Sequence, residues 1–80
     1  MALAKTEEEW AERVRAYLKV ELKRADVGYV ELAKRLKKHG FKEETEASIT
    51  AKLKRGTFTA SFLLAALSAL EADGIRLEDV

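Results

Sequence analysis

The chain contains no cysteine and no proline, and only four of its 80 residues are glycine. Without cysteine there is no disulfide framework and no thiolate metal site, so we expect a protein of a reducing compartment, the cytoplasm. Nothing in the composition interrupts helices, and the abundant residues, Ala, Leu, Lys, Arg and Glu, favour them. The composition therefore predicts an all-α protein.

Long apolar runs are also missing. The most hydrophobic stretch, residues 62–70, is far shorter than the roughly 20 residues of a membrane-spanning helix, and Ser68 interrupts it. Residues 1–5 are too few for a signal peptide, and 80 residues suit a single core. We therefore expect no membrane partner, a flexible N-terminus over residues 1–5 and one helical domain over residues 6–80.

Groups that would support catalysis are missing as well. His39 is the only histidine, and no serine stands in a recognisable partnership with a histidine and a carboxylate. There is no glycine-rich phosphate loop, and a lone histidine without cysteine argues against a zinc site. We expect a protein that is not an enzyme and that has no cofactor, no metal and no small-molecule substrate.

The spacing of apolar residues predicts four helices, over residues 7–24, 29–39, 45–55 and 60–72. Thr6 and Glu9 have the spacing of a capping box at the start of the first helix. Gly40 and Gly74 are placed to end the second and fourth helices in Schellman motifs, with the apolar residue that follows each glycine folding back on the helix. Five aromatic residues are expected in the core: Trp10, Tyr17, Phe41, Phe58 and Phe62.

Charge is unevenly distributed although the net charge is only +1. Residues 32–58 carry eight Lys or Arg against three Glu, a balance of +5, whereas residues 59–80 carry one Arg against four acidic residues, a balance of −3. If the protein meets a polyanion, we expect it to do so through the middle third of the chain.

The same middle third has the spacing of a helix-turn-helix. Leu32-Ala33 supplies a close-packing pair on the second helix, Ile49 and Leu53 are apolar anchors on the third, and Arg55-Gly56 ends it. Over residues 27–70 this order resembles domains of the phage-repressor type. The resemblance implies a compact fold of four to five helices, in which the third, about residues 45–55, approaches the major groove of DNA.

A second resemblance covers nearly the whole chain from Trp10 onward. Residues 52–58, with the sequence KLKRGTF, followed by Ala60 and Phe62, are similar to the signature of a family of small bacterial domains of unknown function. Membership of that family implies a helix-turn-helix-like fold and specifies no activity.

If Ile49 and Leu53 point inward, the outer face of the third helix is small and polar at its start and basic at its end. Small side chains allow a helix deep into the major groove, hydroxyls bond to bases or phosphates, and basic groups neutralise phosphates. A solvated helix face is the alternative role for the lysines, and plain surface exposure is the alternative for Tyr29. The predicted DNA contacts are Tyr29, Lys34, Lys37, Lys38, Ser48, Thr50, Ala51, Lys52, Lys54 and Arg55.

Two features depart from the repressor pattern. Residues 37–42 lengthen the turn, and three carboxylates, those of Glu43, Glu44 and Glu46, stand at the start of the third helix, where they would repel phosphates. The alternative role of these glutamates is a favourable interaction with the helix dipole.

The sequence leaves two functions open. One is a small non-enzymatic DNA-binding protein, a transcriptional regulator or nucleoid-type protein, acting as a homodimer because two-fold pairing doubles the phosphate contacts. The other is a helical module for protein-protein interaction or self-assembly that retains the fold without binding DNA. The fourth helix is apolar over more of its surface than one small domain requires, which favours Leu64 and Ala65 as interface residues. With two residues on the exposed side of the first helix, the predicted dimer interface comprises Leu64, Ala65, Tyr17 and Val20.

Overall fold

The computed structural model describes residues 4–80 and contains no strand in that range. Its elements are α1 (Glu7–Ala25), α2 (Tyr29–Lys38), α3 (Glu46–Arg55), α4 (Ala60–Ala69) and a short 3-10 helix (Leu77–Asp79). The all-α prediction is confirmed, and the predicted ends of the first three helices agree with the structure to within about one residue. The fourth helix is three residues shorter than predicted.

The N-terminal residues 1–5, for which we expected flexibility, are described only in part, because residues 1–3 lie outside the described range. Ala4 is buried. The backbone N–H of Lys5 donates to the Glu9 carboxylate at 2.7 Å, and the N–H of Glu9 donates to the Thr6 hydroxyl at 3.1 Å. The capping box is therefore half formed, since the Glu9 carboxylate bonds to Lys5 and not to Thr6.

The core lies where α2 packs against both α3 and α4, and α1 closes it by packing against α3. The prediction that Ile49 and Leu53 point inward is confirmed, since they are 0% and 1% exposed, and the Leu32-Ala33 pair of α2 is buried as well. The largest fully buried side chains are Phe62, Leu18, Leu32, Leu36, Ile49 and Leu53.

The prediction that all five aromatic residues are core residues is wrong for Trp10, whose surface is 45% exposed. Phe62 is fully buried and contacts Phe41 edge to face and Phe58 at an angle, with ring centroids 6.1 and 5.4 Å apart. Tyr17, Phe41 and Phe58 are half-buried against the core. Trp10 differs because it lies on the side of α1, away from the Leu18 and Leu22 face that α1 buries.

Three helices end in Schellman motifs. At Gly40, as predicted, the N–H of Phe41 donates to the Leu36 carbonyl at 3.0 Å, with Gly40 at φ +94°. The same arrangement closes α1, where the N–H of Val27 donates to the Leu22 carbonyl at 3.0 Å and Asp26 has a φ of 57°.

The stop predicted for α4 at Gly74 is wrong. The left-handed residue is Glu71, at φ 59°, and the N–H of Ala72 donates to the Leu67 carbonyl at 3.0 Å. The helix therefore ends before the Asp73-Gly74 pair is reached. Ile75, expected to fold back on Leu70, remains 39% exposed.

Candidate nucleic-acid interface

The N-terminus of α3 is closed by a reciprocal cap. The Ser48 N–H donates to the Thr45 hydroxyl at 3.1 Å, and the Thr45 N–H donates to the Ser48 hydroxyl oxygen at 2.8 Å. Both side chains thus satisfy backbone groups that a helix terminus leaves without partners. The hydroxyl of Ser48, which we predicted to contact DNA, is used within the protein.

Glu44 lies just before this cap and is the one buried charged residue of residues 4–80, with 6% of its surface exposed. Its carboxylate accepts a hydrogen bond from the Ser48 hydroxyl at 2.6 Å and pairs with the Lys52 ammonium. Burial alone would raise the pKa of Glu44, but the bonds from Lys52 and Ser48 outweigh it and hold the pKa below its ordinary value of 4.5. Glu44 is therefore an ionised structural group, and not one of three exposed carboxylates facing a ligand.

Lys52 is held on its other side by Phe62, whose ring centroid lies 4.8 Å from the ammonium nitrogen. Its side chain is 28% exposed. The ammonium that we predicted to neutralise a phosphate is thus neutralised by Glu44 and covered by an aromatic ring. Sequence reasoning missed this pair because Glu44 precedes the helix, so helical spacing does not relate it to Lys52.

The remaining outer face of α3 agrees with the predicted pattern of small residues followed by basic ones. Ala47 and Thr50 are exposed, Ala51 is half-buried, and Lys54 and Arg55 are exposed. The Thr50 hydroxyl donates to the Glu46 carbonyl at 2.8 Å, which leaves its oxygen able to accept one further hydrogen bond.

The C-terminus of α3 is held by α1. The Arg15 guanidinium donates to the Lys54 carbonyl at 2.8 Å. Gly56, which ends α3 at φ +68°, lies so near α1 that an added Cβ would be 3.1 Å from the Ala11 carbonyl oxygen. These contacts fix how far the basic end of α3 stands from α1.

This contact with α1 brings carboxylates close to Arg55. Arg55 and Arg15 line a groove of about 370 Å³ together with Glu7, Glu8 and Glu12 of α1. The surroundings of Arg55 are thus mixed in charge.

The basic side chains of α2 divide into two groups. Arg35 is used within the protein: it pairs with Glu31 at 3.1 Å and donates to the Ala69 carbonyl at 2.9 Å, at the end of α4. Lys34, Lys37 and Lys38 are exposed, and within residues 4–80 none of the three lies within ion-pair distance of a carboxylate. Tyr29 is half-buried and packs against the core.

The four residues predicted for a dimer interface do not form one surface. Leu64 and Val20 are 61% and 64% exposed, Tyr17 is half-buried, and Ala65 packs against the core. Tyr17 and Val20 line a common groove of about 390 Å³ that Leu64 does not reach. Burial and the neighbouring carboxylates of Glu21 and Asp79 raise the pKa of Tyr17, so its hydroxyl stays protonated at neutral pH.

A larger apolar groove, of about 710 Å³, runs between α1, the connection from α3 to α4 and the C-terminal segment. Trp10, Val14, Phe58, Leu63 and Leu77 are among its lining residues. No group of three or more His, Cys, Asp or Glu residues that could hold a metal ion occurs over residues 4–80. None of the helices described is both long and apolar enough to cross a bilayer.

The structure defines a small all-α domain in which α2, a long connection and α3 carry a set of exposed basic side chains. A family model described as Domain of unknown function (DUF6471) matches residues 10–75, and the chain belongs to that family. No curated protein and no solved structure matches the chain.

Proposed function

We propose that this protein binds double-stranded DNA, with a repressor-like helix-turn-helix in which α3 faces the major groove. The observation that carries the proposal is a set of exposed basic side chains that precede α3 along the chain and stand at its C-terminal end. Lys37, Lys38 and Lys42 come before α3 along the chain, and Lys54 and Arg55 lie at its C-terminal end. α3 is a ten-residue helix, and the diameter of an α-helix with its side chains, about 10–12 Å, suits a major groove about 12 Å wide.

The charge that remains after internal pairing supports the proposal. Of the eight basic residues in residues 32–58, Arg35 and Lys52 are bound within the protein, and of the three glutamates there Glu44 is neutralised by Lys52. Within residues 32–58, six exposed basic residues then remain against Glu43 and Glu46, although Arg55 shares its groove with three carboxylates of α1. This excess favours binding to a phosphate backbone, whose neutralisation releases counterions.

Burial of Glu44 removes one objection raised by the sequence. Three carboxylates at the start of α3 would repel DNA, but one of them is enclosed and paired. The seven-residue connection, residues 39–45, is longer than the three or four residues usual in helix-turn-helix proteins. We therefore expect phosphate contacts through this connection and the C-terminal end of α3, and few base contacts from the first turn.

Salt-titrated fluorescence anisotropy with a labelled duplex tests the proposal. We expect micromolar or tighter binding at about 50 mM salt and a steep loss of affinity by about 200 mM. A duplex RNA of the same sequence is expected to bind more weakly, because its major groove is too narrow and deep to admit a helix. Absence of DNA binding at low salt by a protein that is folded by circular dichroism would overturn the proposal.

The second candidate function, an interaction module without DNA binding, is favoured by the apolar groove beside Trp10. Lys38→Glu combined with Lys54→Glu separates the two functions, since both side chains are exposed and lie outside that groove. Under the DNA-binding function the double variant loses duplex binding. Under the second function the wild type binds no duplex, and the double variant keeps whatever protein association the wild type shows.

A further inference from the structure

Large exposed apolar side chains are concentrated on one face of the protein. Six such residues occur over residues 4–80, and four of them line the two grooves that run beside α1: Trp10, Val20, Ile75 and Leu77. The grooves adjoin, because the C-terminal Val80 lines both. They form one apolar surface, which we call the α1 face. Exposed patches of this kind mark interaction sites.

The α1 face contains the residue types that dominate protein interfaces. Trp10, Arg13, Tyr17 and Val20 line these grooves and lie within about 80° of one another around α1, on a flank separate from its buried Leu18 and Leu22 side. Tryptophan, tyrosine and arginine are the residues most often found to carry binding energy. The Arg13 guanidinium already covers the Trp10 ring, at 5.9 Å from its centroid.

The charges along α1 indicate what partner fits. On the α1 face itself, the groove of Tyr17 and Val20 is lined by Arg13 toward the start of α1 and by Glu21 toward its end. A second α1 laid antiparallel to the first sets Arg13 of each copy beside Glu21 of the other. Parallel pairing would oppose like charges, so this groove is complementary to an inverted copy of itself.

From these observations we infer that the α1 face binds a second copy of this chain, with the two α1 helices antiparallel about a two-fold axis near Tyr17. In that register Arg13 of each copy lies opposite Glu21 of the other, and Trp10 lies opposite Arg24. Such an interface is isologous, as two-fold pairing requires. The inference does not depend on DNA binding.

The α1 face leaves the proposed DNA surface open. The groove that contains Arg55 and Arg15 shares no residue with the groove of Tyr17 and Val20, although it shares Glu7, Ala11 and Thr57 with the groove of Trp10. The exposed lysines of the proposed DNA surface, Lys37, Lys38, Lys42 and Lys54, line neither groove of the α1 face. A dimer through α1 therefore presents two copies of α3 to solvent. The interface comprises Tyr17 and Val20 of the four residues first predicted, and excludes Leu64 and Ala65.

Sedimentation equilibrium and tryptophan fluorescence of the full chain test this inference. We expect the mass to rise from 9.0 kDa to that of two chains as concentration increases. Trp10 is the only tryptophan, so its emission should shift to shorter wavelength over the same concentration range as the interface covers it. A monomeric mass throughout, with unchanged emission, would overturn the inference.

Val20→Glu should weaken dimerisation at least tenfold, because it places a carboxylate on an apolar position of the groove that the second copy covers. Leu64→Glu is its matched control: both side chains are helical, apolar and a little over 60% exposed, and both changes alter the net charge equally. Glutamate favours helix, so both variants should fold. Loss of the dimer in Leu64→Glu with a normal dimer in Val20→Glu contradicts the assignment.

The antiparallel register is tested by charge reversal. Arg13→Glu and Glu21→Arg should each dimerise more weakly alone, because positions 13 and 21 meet twice in the symmetric dimer and each variant places like charges at both contacts. An equimolar mixture should dimerise more strongly than either variant, because both contacts then join opposite charges. A mixture no stronger than the separate variants contradicts this register.

Discussion

Gly56 is subject to two constraints at the scale of a single residue: a backbone φ of +68° and the Ala11 carbonyl 3.1 Å from where a Cβ would lie. A left-handed conformation costs a residue with a Cβ about 1–2 kcal/mol, and the close contact adds to that cost because it involves backbone. We predict that Gly56→Ala lowers the free energy of unfolding by about 2 kcal/mol or more, measured by urea denaturation.

Two other glycines provide graded controls for this prediction. Gly40 has a positive φ but open space around it, and Gly74 has neither a positive φ nor a neighbour within 4 Å. The expected order of destabilisation is therefore Gly56→Ala, then Gly40→Ala, then Gly74→Ala. A Gly56→Ala variant as stable as Gly74→Ala would show that α1 does not approach α3 as closely as described.

Glu44 is the second residue whose environment makes a specific prediction. Glu44→Gln should lower the free energy of unfolding at pH 7 by about 1–3 kcal/mol, since it weakens buried hydrogen bonds to a charged group. Glu43→Gln, the neighbouring substitution at an exposed residue without an ion pair, should change stability little. The two variants are compared by chemical denaturation across a range of pH.

The pH dependence of this difference has a definite sign. The pKa of Glu44 is lowered in the folded state, so its ionised form stabilises the fold above pH 4.5, and that stabilisation is lost as the pH falls through the lowered pKa. Wild type and Glu44→Gln should therefore converge in stability at acid pH. A difference that stays constant from neutral to acid pH would contradict the ionised, paired state of Glu44.

At the scale of the helices, apolar spacing and capping residues were sufficient to predict α1, α2 and α3. They failed at the end of α4 because the rule that a glycine ends a helix favoured Gly74, whereas the backbone turns at Glu71. There the N–H of Ala72 reaches the Leu67 carbonyl, so the motif closes three residues before Gly74. No residue type in the sequence identifies a helix end at which a residue other than glycine adopts the left-handed conformation.

This early end of α4 predicts a stabilising substitution. Glu71 is exposed at φ 59°, so Glu71→Gly removes the strain of a side chain in the left-handed region. We expect a gain of about 0.5–1 kcal/mol, which for a domain of this size raises Tm by about 4 °C. Asp73→Gly, a glycine substitution where φ is not positive, should leave Tm unchanged or lower it, and a Glu71→Gly variant no more stable than Asp73→Gly would contradict the left-handed stop at Glu71.

At the scale of the whole molecule, sequence reasoning located the basic third of the chain and the inward anchors of α3. It did not distinguish the basic side chains that remain exposed from those that form bonds within the protein. Arg35 bonds to the end of α4, and Lys52 binds Glu44. Both contacts join residues whose relative positions depend on how helices and connections pack, which periodicity within one helix does not specify.

The proposed DNA binding depends on basic side chains that form no ion pair within the protein. Lys34, Lys37, Lys38, Lys42 and Lys54 are exposed and are within ion-pair distance of no carboxylate in residues 4–80. Arg55 is exposed too, but three carboxylates of α1 lie in its groove. We therefore expect the lysines of α2, of the connection and of α3 to contribute more to DNA binding than Arg55 does.

The salt dependence of duplex binding by two matched double variants tests the DNA-binding account most directly. Lys37→Gln with Lys54→Gln removes two charges from the proposed surface, whereas Lys19→Gln with Lys23→Gln removes two exposed charges from α1. We predict that the first pair weakens binding and reduces the slope of log affinity against log salt by roughly 1.8, about 0.9 for each lost phosphate contact, and that the second pair leaves the slope unchanged. Equal slopes for the two pairs, or no binding by the wild type, would contradict the account.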